Sequence, residues 1–233
     1  MSSFLELCQM VGRESGTAPG NQPYSVAGQT GRLAKIVHWT NEAWVAIQNA
    51  RDDWQFMREE YAGTVSPAMA RYVPSALGIH AMGAFLPDRT GYRPHSIYPS
   101  ATGVQDETSL RQTNWEDWRQ RFGRGVQTPQ RPAEYAISPK GDFCRGPIPD
   151  AVYVLRGEYR RRASRMVDND DEPQLPGQFH DMIAWRAIML LDEHDEAIEA
   201  IRIGRARNIF AETFSALVRS QTERIRIGYR AIA

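Results

Sequence analysis

His180-Asp181 and Asp192-Glu193-His194-Asp195 bring together two histidines and several carboxylates, the residue types from which a metal or hydrolytic site is built. The two histidines stand fourteen residues apart, which on one helix is roughly 21 Å at about 1.5 Å per residue. They cannot share an ion unless the helix breaks between them, and the His-Glu-x-x-His spacing that puts two ligands on one helical face is absent. The plainer reading is a His–Asp pair in a first helical turn and a solvated acidic helix end. A metal-dependent hydrolase built on His180, Asp192 and His194 would have to bind metal at unit stoichiometry.

Other constellations are thinner. No Gly-x-Ser-x-Gly elbow and no Gly-x-x-x-x-Gly-Lys phosphate loop occurs. Ser164, in Arg-Arg-Ala-Ser-Arg, superficially resembles a basic phosphorylation site but reads more simply as a strand end. Cys8 and Cys144 are the only cysteines, too few for a disulfide framework or a four-ligand zinc site. The one concentrated basic patch is Arg160-Arg161-Arg162 with Arg165. It could touch DNA phosphates, a neighbouring subunit, or the acidic run Asp168–Glu172 just beyond it. Near-cancellation of the local charges favours protein–protein or intrachain pairing over DNA. The expectation is therefore of no catalytic residue, no metal ligand and no cofactor.

Helical periodicity appears at both chain ends. Phe4, Leu7, Cys8 and Val11 mark a short helix over Ser3–Glu14. A longer one follows from Gln29 or Thr30, with Leu33, Ile36, Val37, Thr40, Ala43, Trp44 and Ile47 on one face and Arg32, Lys35, Asn41, Glu42 and Gln48 on the other. The near-alternation of Trp54–Tyr61 predicts a strand. Prolines and glycines from Pro67 to Gly103 predict short strands and loops, with room for a long projecting loop. Thr113 or Asn114 caps a short helix bearing Trp115, Trp118 and Phe122. Pro139-Lys140-Gly141 turns a hairpin between Glu134–Ser138 and Asp142–Arg145, and Ala151–Arg162 reads as a longer strand. Two helices close the chain, one from about Gln178 and apolar over a wide arc, the other from about Asp195 to Arg224. Ile225, Ile227 and Tyr229 alternate in an extended tail.

These elements predict an α+β fold: an antiparallel helical bundle from the N- and C-terminal helices, with a β-rich module inserted. The expected divisions are 1–57, 58–176 and 177–233. With 28 basic and 28 acidic residues, a chain-wide electrostatic grip on nucleic acid is not available. No apolar run approaches the roughly 18 residues needed to span a membrane, and the N-terminus lacks the basic start and apolar core of a secretory signal. Synthesis in a reducing cytoplasm is the expectation.

Three stretches carry a resemblance to a known family. They are Gly28-Gln29-Thr30-Gly31-Arg32 with the helix to Ile47 and Asp53-Trp54-Gln55-Phe56-Met57; Pro147-Ile148-Pro149-Asp150 with Tyr153 and Gly157-Glu158-Tyr159-Arg160-Arg161; and Leu175-Pro176 with Phe179-His180-Asp181-Met182-Ile183-Ala184-Trp185-Arg186-Ala187. In their order and spacing the chain resembles the head–tail adaptors (connector or tail tubular proteins) of tailed bacteriophages. The resemblance implies a non-enzymatic virion protein of the neck, made in the bacterial host cytoplasm. It further implies a ring of about twelve copies, following the family, with heterologous joints between neighbours. Its partners would be further copies of itself, the portal protein above, a tail or nozzle protein below, and genomic double-stranded DNA passing through the lumen without sequence-specific binding. The tail carrying Ile225, Ile227 and Tyr229 would be the portal contact. The alternative from another class is a non-virion DNA-binding module using Arg160, Arg161, Arg162 and Arg165.

Overall fold

The computed structural model describes residues 2–16, 20, 22–194 and 200–222. Among them the chain is α+β, with five α-helices and two sheets. It divides into two compact units: residues 1–57 with 163–233, and residues 58–162.

In the first, helical unit, α1 spans Phe4–Ser15 and α2 spans Gly31–Asn49. The C-terminal part supplies α4 (Asp181–His194) and α5 (Ala200–Gln221), while α3 belongs to the other unit. Ser3 and Glu6 form a reciprocal capping box that satisfies two amides at the start of α1. The next donors, Phe4 N–H and Leu5 N–H, bond the carbonyls of Asp171 and Asn169 at 2.8 and 3.1 Å. Phe4, Leu7, Cys8 and Val11 are buried at the spacing that puts them on one face. Helix α4 packs against α1, α2 and α5, which accounts for its wide apolar arc: Met182, Ile183, Ala184, Ala187, Ile188 and Leu191 are all buried.

Two expectations in this unit are corrected. Trp54–Met57 is not strand: Gln55–Met57 forms a 3-10 turn, and the strand begins at Arg58. Trp54 is buried with its indole N–H on the Ile47 carbonyl at 2.9 Å, and its ring meets Phe214 edge-on at 5.9 Å. Its packing thus holds the segment to the helices. Residues 163–176 also belong here rather than with the β-rich part. The physical reason lies on α2. Asn41 and Gln48, expected on its polar face, are buried. Asn41 exchanges two hydrogen bonds with the backbone of Met166, both at 2.9 Å, and Gln48 does the same with Ser164 at 3.0 and 2.8 Å. These amide side chains stand in for a neighbouring strand and clasp an extended segment to the helix.

The second, β unit contains nine strands. Sheet A is centred on β9 (Tyr153–Arg161). On one edge of β9 lies β1 (Arg58–Val65), antiparallel, from Arg58 opposite Arg160 to Val65 opposite Tyr153. On the other edge β3 (Met82–Phe85) and β4 (Ser96–Pro99) follow one another, and β4 pairs with β5 (Thr108–Ser109). Sheet B runs β2 (Arg71–Tyr72), β8 (Phe143–Gly146), β7 (Glu134–Ile137) and β6 (Arg111–Gln112), with β6 and β7 parallel. The β7–β8 hairpin turns at Gly141, whose φ of 85° lies in the left-handed region.

Alternation along the strands sends Tyr61 and Val65 of β1, Leu155 and Tyr159 of β9, and Tyr135 and Phe143 of sheet B into one shared core. The opposite face of β7 and β8, at Ala136 and Cys144, is covered by Trp118 of α3 (Trp115–Arg121). The unit is therefore two packed sheets with a short helix on the outside of sheet B.

Candidate interaction sites

In the helical unit His180 is engaged in holding the chain together. His180 is buried, receives the Ser2 N–H on Nδ1 at 3.0 Å, and places Nε2 3.0 Å from the Leu175 carbonyl. It ties the chain start to the entry of α4. Asp192 lies 4.0 Å from Arg207, and the His194 side chain is outside what the structure describes. Among the described residues no three metal-ligating side chains converge. Cys8 is buried, which raises its thiol pKa to about 12. Cys144, in the β unit, is raised to about 11 by burial. Neither is a thiolate near neutral pH.

The arginine run does not form one patch. Arg160 and Arg161 are consecutive in β9, so their side chains leave opposite faces of the sheet. Arg161 Nε pairs with Glu59 of β1 at 3.1 Å, and Glu59 also accepts the Tyr159 hydroxyl. Arg162 is exposed, its backbone N–H on the Ala81 carbonyl at 2.9 Å. Arg165, in the helical unit, pairs with Glu42 of α2. The acidic run has other work. Asp171 accepts the N–H groups of Val167 and Asp168 at 2.6 and 2.9 Å, and these bonds hold its carboxyl below the usual carboxylate range. Ile225, Ile227 and Tyr229 lie outside the described residues.

The β unit contains a buried polar network that nothing in the local sequence pattern announces. His95, fully buried, sits within a ring of aromatics, 4.8 Å from Tyr135 and 5.2 Å from Phe143 between centroids. Its Nδ1 is 3.0 Å from the Tyr61 hydroxyl and its Nε2 3.0 Å from the Leu86 carbonyl. Burial pushes its pKa down from 6.5 to about 4, against the opposing pull of the Leu86 carbonyl and Asp88. Burial likewise raises the Tyr61 phenol. Tyr135 completes the group by donating to Asp88 at 3.0 Å. Gly157 makes this possible: a Cβ there would stand 2.1 Å from His95 Nδ1.

Arg145 is the exception in this core. It is fully buried and its guanidinium stacks over Tyr72 at 4.6 Å, with Nη2 donating to the Met69 carbonyl. Among the described residues its Nε and Nη1 have no hydrogen-bond acceptor, and burial lowers its pKa to about 10.

A cleft of about 460 Å³ lies beside β2 and α3, lined by Met69, Arg71, Trp118, Phe122, Gln127 and Ile148 among others. The exposed Arg71 guanidinium stands over Trp115 and Trp118, 5.1 and 5.3 Å from their ring centres, and the two indoles stack on each other at 5.4 Å. Trp118 is 1% exposed, and its indole N–H has no acceptor among the described residues. The pairing of Trp115 with Trp118 was readable from their spacing, whereas Arg71 reaches them from more than forty positions away in the sequence.

No protein-family model matches this chain, and no curated protein matches it.

Proposed function

We propose that the chain is a structural virion protein, a head–tail adaptor that forms a ring below the portal and joins the DNA-filled capsid to the tail. In this reading the N- and C-terminal helices make an antiparallel bundle and the β-rich unit is its insertion. The observation that carries the reading is the division of the chain, with both ends in one unit and residues 58–162 in the other. The internal engagement of His180, Cys8 and Cys144 supports a structural role over a chemical one. The separation of Arg160 from Arg161 across β9, and the ion pairs of Arg161 and Arg165, weigh against the DNA-binding alternative.

The neck of the virion is the proposed location, and DNA would pass through the lumen without sequence-specific contacts. No described helix is long and apolar enough to cross a membrane. The portal contact is assigned to Ile225, Ile227 and Tyr229, an alternating segment able to add to a strand edge or fill a groove. A pull-down on portal protein tests this. Deletion of 225–233 should leave the far-ultraviolet circular dichroism unchanged and abolish capture. Undiminished capture of the truncated chain would contradict the assignment.

A further inference from the structure

The Arg71–Trp118 cleft has the makings of a joint. Its cation is exposed, has no carboxylate partner among the described residues, and is held in place by two indoles. A planar guanidinium fixed in this way is prepared for a carboxylate, because little side-chain freedom remains to be lost. A second donor beside it is the Trp118 N–H, buried without an acceptor among the described residues in a side chain that lines the cleft. Apolar surface surrounds them: Met69 is half exposed, and Phe122 and Ile148 line the cleft. The adjoining backbone is strained at Ala68, a non-glycine residue at φ 59°, and such strain collects where a segment is shaped for a contact. Arg124, exposed between the lining residues Gly123 and Gly125, adds a second positive charge.

The helical unit offers a matching shape. Val167 is 72% exposed, and directly after it the exposed Asp168, Asp170 and Glu172 have no ion-pair partner among the described residues. The turn is rigid. Asp171 takes two of its N–H groups, and the carbonyls of Asn169 and Asp171 cap the start of α1. An apolar tip flanked by carboxylates on a fixed turn complements a cleft of mixed polar and apolar lining with a fixed cation at its edge.

We propose that the 167–172 turn of one copy seats in the Arg71–Trp118 cleft of the next, with Val167 against Met69 and Phe122 and Asp168 or Asp170 on Arg71. The joint is heterologous, so repetition generates a ring or an open chain rather than a closed dimer. It rests on the ring reading above and names the surfaces that would make it.

The test is sedimentation velocity of the full chain over a range of concentrations. Wild type should form species larger than a dimer. Arg71→Glu, and separately Asp168→Lys with Asp170→Lys, should each weaken association by roughly tenfold or more, with unchanged circular dichroism. Combining all three substitutions in one chain should restore it. Arg71→Gln, a milder change, should act in the same direction and guards against a misfolded reversal. Reversals that assemble like wild type would overturn this joint while leaving the adaptor reading intact. A wild-type chain that remains monomeric throughout would overturn the joint, and its absence from virions as well would overturn the adaptor reading.

Discussion

The two units treat buried polar groups in different ways. In the helical unit Asn41, Gln48 and His180 each reach across to backbone groups distant in sequence, so each side chain closes a main-chain hydrogen bond that helix packing left open. In the β unit buried polar side chains also meet one another, as in Tyr61–His95 and Tyr135–Asp88, while Arg145 and Trp118 retain donors without acceptors among the described residues. Side-chain-to-backbone clasps fix one arrangement of a body. A core with unused donors is costly in isolation, since a buried unsatisfied group forfeits hydration without recompense.

The largest effect expected is at Gly157. With Ala at that position, the new Cβ collides with the His95 ring, and relief requires breaking its bond to Tyr61. A loss of about 3 kcal/mol or more in urea unfolding is expected, confined to the transition that reports the β unit. A smaller loss spread over both units would blur the contrast between them.

The pH dependence should belong to the same unit. The unfolded His95 takes a proton near pH 6.5 and the folded one only near 4. The stability held by the neutral ring is therefore complete above about pH 6.5 and is lost as pH falls towards 4, on the order of 3 kcal/mol in all. Denaturation midpoints measured across that window should flatten in His95→Gln, and equal slopes in variant and wild type would remove His95 from the account.

Asn41→Ala tests the helical side. It leaves the Met166 N–H and C=O buried and unpaired, at a cost of about 2 kcal/mol. Residues 163–166 should then exchange their amide hydrogens faster while the β unit stays protected.

How far these features were legible in the sequence follows the range of the interactions. The α1 and α4 faces are set by local periodicity, and the hairpin at Pro139-Lys140-Gly141 by turn chemistry; all three were readable. Asn41 and Gln48 were not, because an amide on a helix reads as solvated until a distant segment arrives to accept its bonds. Trp54–Met57 alternates like a strand yet is drawn into a helical core by Ile47 and Phe214. The arginine run reads as a patch because adjacency in sequence is visible, whereas the two-residue period of β9 sends Arg160 and Arg161 to opposite faces. His95 lies in a proline- and glycine-rich stretch without periodicity, and its partners at 61 and 86 are set by sheet pairing. The Arg71 cleft depends on the same long-range pairing.

The proposal that this is a neck protein of a tailed phage can be decided by quantitative mass spectrometry of purified virions. The chain should be present in the particles at about the copy number of the portal protein. Its absence from intact, tailed, DNA-filled particles would rule that role out.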